Sequence, residues 1–203
     1  MSGVVLAQGE IDTNATVKLK LIGHKGDIEI IEVDRNSERI ALSKKKAVRI
    51  EGLEELPQLT DLSLQSFFIN SLNWIPRNIK RLNLRYNKIQ SLDGIEEFTM
   101  LEEFRVFGNK INEIDSIFKS NSIRVANLGG NVIEIVNCSD NESIERLDFS
   151  NNNIKHIYNL HKLKKLKTLI LYANPIETNI EGLNKLRDEN PEVEIKVRDK
   201  REE

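Results

Sequence analysis

Covalent or metal chemistry in this chain would have to come from very few side chains. His156 and His161 stand close enough in sequence to approach one another, the first requirement for a shared metal ion. A protein metal centre needs at least one further ligand, and none is evident, so solvated histidines are the expectation. Cys138 is the single cysteine, which excludes a disulfide within the chain. It has no partner histidine motif, so a small packed thiol is expected rather than a nucleophile. The chain has no G-x-S-x-G, H-E-x-x-H, P-loop or G-x-G-x-x-G motif. Neither an enzyme nor a cofactor is expected.

Non-covalent recognition is better provided for. Lys80, Arg81, Arg85, Tyr86, Arg105, Phe107 and Arg124 crowd the middle of the chain, with Asn127, Asp148 and Tyr172 following. Arginine and rigid aromatic side chains dominate the energetics of protein interfaces. Glu102, Glu103, Glu145 and Asp148 lie among them, so the set is zwitterionic. Lys44-Lys45-Lys46 and the stretch KLKKLK at 162–167 could touch phosphate, although charge runs usually mark solvated faces.

The elements that must position these residues repeat. "LDFSNNNI" at 147–154 returns as "LILYANPI" at 169–176, an offset of 22 residues. Seven copies of the pattern begin at Ser37, Leu59, Ile79, Leu101, Ile123, Ile144 and Leu166. Repeat positions 1, 4, 6, 11, 14 and 17 are apolar almost throughout, as in Ile79, Leu82, Leu84, Ile89, Leu92 and Ile95. A period of this length is the mark of stacked coils that bury a shared core. Positions 3 to 7 read as a short strand in each coil. Position 9 is Asn87, Asn109, Asn131, Asn152 and Asn174 in five consecutive copies. There the chain must turn and leave backbone groups buried between coils. An asparagine side chain both donates and accepts, so it can satisfy its own turn and the adjoining one. Lys45 and Phe67 break this rule in the first two copies, the second of which is only 20 residues long. A terminal coil has one neighbour, which accounts for Lys45; Phe67 is left without a reason.

The pattern LxxLxLxxNxIxxIxxLxxLxx resembles the class of intracellular leucine-rich repeats that includes the leucine-rich regulatory subunit of protein phosphatase 1, the spliceosomal A-prime protein and the acidic leucine-rich nuclear phosphoproteins. The resemblance covers residues 37–176 and implies an α/β solenoid, a right-handed horseshoe with parallel strands on its concave face. Those nuclear proteins close with a Pro-x-Leu-x-x-Leu-Asp type ending. This chain keeps Asn174-Pro175-Ile176 and Asn190-Pro191 but lacks the Leu-Asp, so it is not assigned to any of the named groups.

Flanking segments give the remaining organisation. Residues 1–16 are expected to be a flexible tail, and 17–36 a β-hairpin that caps the first coil. Residues 177–198 are expected to form a helix and strand that cap the last coil, with Thr178-Asn179-Ile180-Glu181 as a capping box. Residues 199–203 read as a frayed tail. Thirty basic and 32 acidic side chains leave a net charge of −2, which argues against a general nucleic-acid or membrane-surface binder. No apolar run could span a bilayer, and the N-terminus lacks a basic region ahead of its short apolar run. A cytoplasmic or nuclear setting is expected, in which the sequons at Asn14, Asn137 and Asn141 meet no glycosylation enzyme.

Positions 2, 3, 5, 7 and 8 of each coil face outward on the concave sheet, where no packing duty is expected of them. Phe107 is hard to place there unless something covers it, and Gly108, Gly129 and Gly130 beside it suggest a recess for a partner side chain. The expected function is therefore a non-enzymatic scaffold or regulatory subunit, a monomer when alone, that holds a protein or peptide on its concave face. The alternative is a ribonucleoprotein component whose arginines and aromatics contact RNA.

Overall fold

The computed structural model describes residues 15–176 and 181–197. Residues 1–14 of the expected N-terminal tail, the expected C-terminal tail and most of the capping box lie outside the described residues. Thr16, counted with the tail, opens the first strand. Two antiparallel strands come first, β1 (Thr16–Gly23) and β2 (Ile28–Asp34), joined by a tight turn in which Gly26 takes a positive φ. Strands β3 (Arg39–Ser43) and β4 (Ala47–Glu51) follow, then β5 (Asp61–Gln65), β6 (Arg81–Asn83), β7 (Glu103–Arg105) and β8 (Val125–Asn127). The chain continues through β9 (Ile135–Asn137), β10 (Arg146–Asp148), β11 (His156–Tyr158), β12 (Thr168–Ile170) and β13 (Glu194–Lys196).

One strand from each coil, β3, β5, β6, β7, β8, β10 and β12, lies beside the next in a parallel sheet, and β13 extends it at the far edge. Corresponding repeat positions pair, for example Leu82 with Phe104 and Phe104 with Ala126. This register follows from the core-facing positions that every coil shares: shifting a strand by one residue would turn its core face to water. The other side of each coil is built differently from coil to coil. Short 3₁₀ turns occupy Leu53–Glu55, Ile95–Glu97 and Leu160–Lys162, and a single helical turn, α1, spans Asp115–Phe118. Strands β9 and β11 pair with each other there. The helix α2 (Glu181–Glu189) packs near β11 and the last 3₁₀ turn.

Nearly every apolar repeat position is buried, so the core is a continuous column of Leu, Ile and Phe between the two sides. The asparagine ladder runs through it. Asn87 Oδ1 accepts from the Ile69 amide at 3.1 Å, while its Nδ2 donates to the carbonyls of Leu64 at 2.8 Å and Leu84 at 2.9 Å. Asn109, Asn131, Asn152 and Asn174 repeat this geometry, each serving its own turn and the turn of the preceding coil.

That direction explains Phe67. An asparagine there would serve the first coil, whose strand β3 is already paired with β5 as far as Ser43 opposite Gln65. Past the turn, the first coil continues as β4, which is bonded to β1. Strand pairing thus stands where the ladder stands in later coils, and Phe67 fills the core instead, 2% exposed. Asn141, one of the sequons, is also buried: its Nδ2 donates to the carbonyls of Phe118 and Ser120, and its Oδ1 accepts from the Ser143 and Ile144 amides.

Candidate interaction surface

The concave sheet brings the sequence-selected residues onto one face, but many of them are already engaged there. Arg81 donates twice to Asp61 of the preceding coil. Desolvation pushes the Asp61 carboxyl up, yet hydrogen bonds from Arg81 and Thr60 outweigh it and hold the group below its usual range. Arg105 pairs with Glu103 at 2.8 Å. Arg124 and Lys167 close on Glu145 from either side, both at 2.7 Å, and hold its carboxyl down to about 2. Glu145 thus ties together three coils. Asn127 donates to Asp148 at 3.0 Å, and Asp148 in turn accepts from Ser150. The outward positions therefore carry structural work that sequence reading did not assign to them.

The aromatic pair is likewise engaged. Tyr86 and Phe107 meet edge to face, ring centroids 5.6 Å apart. Each lies over a glycine of the next coil. A β-carbon on Gly108 would come within 2.7 Å of the Tyr86 ring, and one on Gly129 within 2.9 Å of the Phe107 ring. The recess expected beside Phe107 is filled by Phe107 itself, and the half-buried ring needs no partner to cover it. This corrects the expectation, because the glycines make room for a neighbouring ring within the chain. Tyr172 stands apart, exposed on β12's turn, with its carbonyl accepting from Asn151.

Two of the cations remain unpaired among the described residues, Lys80 and Arg85. Arg85 is half-buried, and its Nε is inaccessible and without a hydrogen-bond partner. An unpaired buried donor on a charged group is costly. Arg85 lines a polar hollow of about 400 Å³ on the concave sheet with Arg39, Arg81, Arg105, Asp61 and Glu103. Four guanidinium groups against two carboxylates leave the hollow with a positive excess. Arg39, missed in the sequence reading, comes from the first coil. The signal was its place at repeat position 3, the same as that of Asp61 and Arg81.

The other chemical candidates fall elsewhere. His156 is exposed on β11 and stacks on Tyr158 at 6.1 Å, on the side away from the concave sheet. His161 is half-buried in the last 3₁₀ turn. Among the described residues no three His, Cys, Asp or Glu side chains gather as metal ligands. Burial, with a smaller contribution from Asp115, pushes the Cys138 thiol up to about 12, so the nucleophilic thiolate does not form near neutral pH. No helix among the described residues is long and apolar enough to cross a membrane.

These coils, their parallel sheet and their asparagine ladder define a leucine-rich-repeat solenoid. Solved structures agree at the level of fold. The chain is similar to the leucine-rich repeat domain of APL1B, with a TM-score of 0.51 and 20% identity over 61% of this chain and 37% of that one. It is also similar to the functional domain of InlJ from Listeria monocytogenes, which includes a cysteine ladder. The TM-score there is 0.52, with 17% identity over 79% of this chain and 39% of that one. The chain thus spans under two-fifths of either neighbour. No family model matches the sequence, and no curated protein matches it.

Proposed function

We propose that this solenoid is a binding module, without catalysis of its own, that holds a protein partner against the concave hollow around Arg85. The observation that carries the reading is Arg85 itself: a half-buried guanidinium with no ion pair to a described residue, in a hollow with more cations than anions. A carboxylate from a partner side chain would offset the positive excess of the hollow, and charge-assisted pairs with arginine are among the strongest. A stacked array of parallel strands offers such a partner a stiff surface that need not rearrange on binding. Resemblance to the phosphatase-regulator class suggests a regulatory subunit as one form of this role.

The ribonucleoprotein reading finds less support. RNA would need free cations for phosphate, whereas Arg81, Arg105 and Arg124 are engaged with carboxylates. Tyr86 and Phe107 meet edge to face rather than offering two parallel stacking platforms.

Affinity capture tests the proposal with the wild type and Arg85→Glu, after circular dichroism has shown both equally folded. Proteins bound specifically by the wild type should be lost with Arg85→Glu and retained after ribonuclease treatment. An unchanged bound set would show that the concave hollow is not the site. Bound material that is RNA-dependent and stripped by salt would favour the ribonucleoprotein reading.

A further inference from the structure

A second hollow, of about 520 Å³, lies away from Arg85, between the tip of the β1–β2 hairpin and the turns that follow the first concave strands. Its floor is Phe68 and Val48; its rim carries Lys25, Lys46 and Lys88. Phe68 occupies repeat position 10, where the coils on either side have Lys46 and Lys88. The ring is 43% exposed, although the phenylalanine next to it in sequence, Phe67, is fully packed. None of the three lysines is ion-paired to a described residue, in contrast to Arg81, Arg105 and Arg124 on the concave face and to nearby Lys45, which is bonded to Glu29. Asp27, the one acid lining the groove, is folded back on the turn. A β-carbon on Gly23 would clash with the Asp27 carboxylate.

An apolar floor ringed by uncompensated ammonium groups has a definite complement. We propose that this groove docks an acidic peptide segment of a partner protein, one that seats an apolar side chain against Phe68 and Val48 between flanking carboxylates. Coils stack at about 4.8 Å, which places Lys46 and Lys88 about 10 Å apart on either side of the ring. In a short extended segment, carboxylates two positions either side of an apolar residue share its face, and with Cα atoms about 13 Å apart their side chains can reach both ammonium groups. Single-stranded nucleic acid fits less well: it calls for successive aromatic platforms, and here Phe68 shares the groove with Val48, Asn70 and the hairpin's His24.

Selection of random linear peptides displayed on phage tests this, using the wild type, Phe68→Ala and the double variant Lys46→Glu/Lys88→Glu. The wild type should enrich peptides in which Asp or Glu flank Trp, Phe or Leu. A synthetic copy of an enriched peptide should bind Phe68→Ala about tenfold more weakly, and the charge-reversed variant should enrich Lys and Arg instead. Lys46 and Lys88 are exposed, so that reversal reads the groove even if truncating Phe68 disturbs the fold. Arg85→Glu should leave the synthetic peptide's affinity unchanged, which separates this groove from the concave hollow. Absence of acidic enrichment, equal binding to Phe68→Ala, or loss with Arg85→Glu would each overturn the proposal. So would a fluorescein-labelled oligothymidylate that binds the wild type and not Phe68→Ala, since that would make the groove a nucleic-acid site.

Discussion

The ring of Phe107 covers Gly129 of the next coil so closely that a β-carbon there would stand 2.9 Å from its Cδ2 atom and equally close to the Ser150 carbonyl. The concave face at this point is a packed surface, and its smallest residue is set by its neighbour's largest. Gly129→Ala should therefore cost about 1 to 3 kcal/mol through overpacking. Phe107→Ala in the same chain should recover part of that loss, leaving the contribution of the unyielding Ser150 carbonyl. Urea unfolding of the two single variants and the double variant measures the coupling. Strict additivity would mean that ring and glycine are independent.

Ladder position should decide the cost of losing an asparagine. Asn87 is 3% exposed, and truncating it orphans the Ile69 amide and the Leu64 and Leu84 carbonyls. Asn87→Ala is expected to cost about 3 kcal/mol, given roughly 1 to 3 kcal/mol for each buried group left unpaired. Asn174 makes the same bonds at the end of the ladder but is only half-buried, so water can replace part of what it supplies. Asn174→Ala should cost about 1 kcal/mol. Equal losses would contradict this view of the ladder.

Acid should find Glu145. Hydrogen bonds from Arg124 and then Lys167 hold its folded pKa at about 2, whereas an unfolded glutamate titrates near about 4.3. The depressed folded value means that the stabilisation is fully present above the unfolded pKa and is lost as pH falls from about 4.3 towards about 2. Glu145→Gln should make the decline of the urea midpoint across that window shallower. A curve as steep as that of the wild type would show that the three-coil ion pair contributes nothing.

Each of the seven coils places position 8 in the left-handed region: Lys44, Ser66, Tyr86, Gly108, Gly130, Asn151 and Ala173 all have φ between 53° and 72°. Only glycine adopts this conformation without penalty, and asparagine tolerates it. Ser66 is exposed, so Ser66→Gly removes the penalty and little else. It should raise stability by about 1 kcal/mol in urea unfolding. No gain would mean that the greater freedom of the unfolded glycine cancels the relief.

Much of the architecture is legible in the sequence because a stacked coil imposes the same burial on the same position each time. Leu82, Phe104 and Leu147 must each face the core, and Asn87, Asn109 and Asn152 must each satisfy a turn. A demand that recurs leaves a period, and a period can be read without coordinates. The left-handed turn recurs as strictly but leaves no such trace. Its cost of about 1 to 2 kcal/mol is small enough for lysine, serine and tyrosine to bear, so only two of its seven occupants are glycine.

The candidate site was legible only in its membership. That Arg81, Arg85, Arg105 and Phe107 share a face follows from strand alternation and the repeat length, both properties of the chain. Which of them is free depends on side chains some 20 residues away in sequence: Asp61 beside Arg81, Glu145 beside Arg124, Gly129 beneath Phe107. The groove at Phe68 likewise exists only because the hairpin tip folds over turns from later coils. Local sequence determined the coil, since a coil's core and turn are made by its own residues and its nearest copies. Tertiary structure decided which charges and rings remain available to a partner, since pairing is settled by contacts between coils that no single repeat contains.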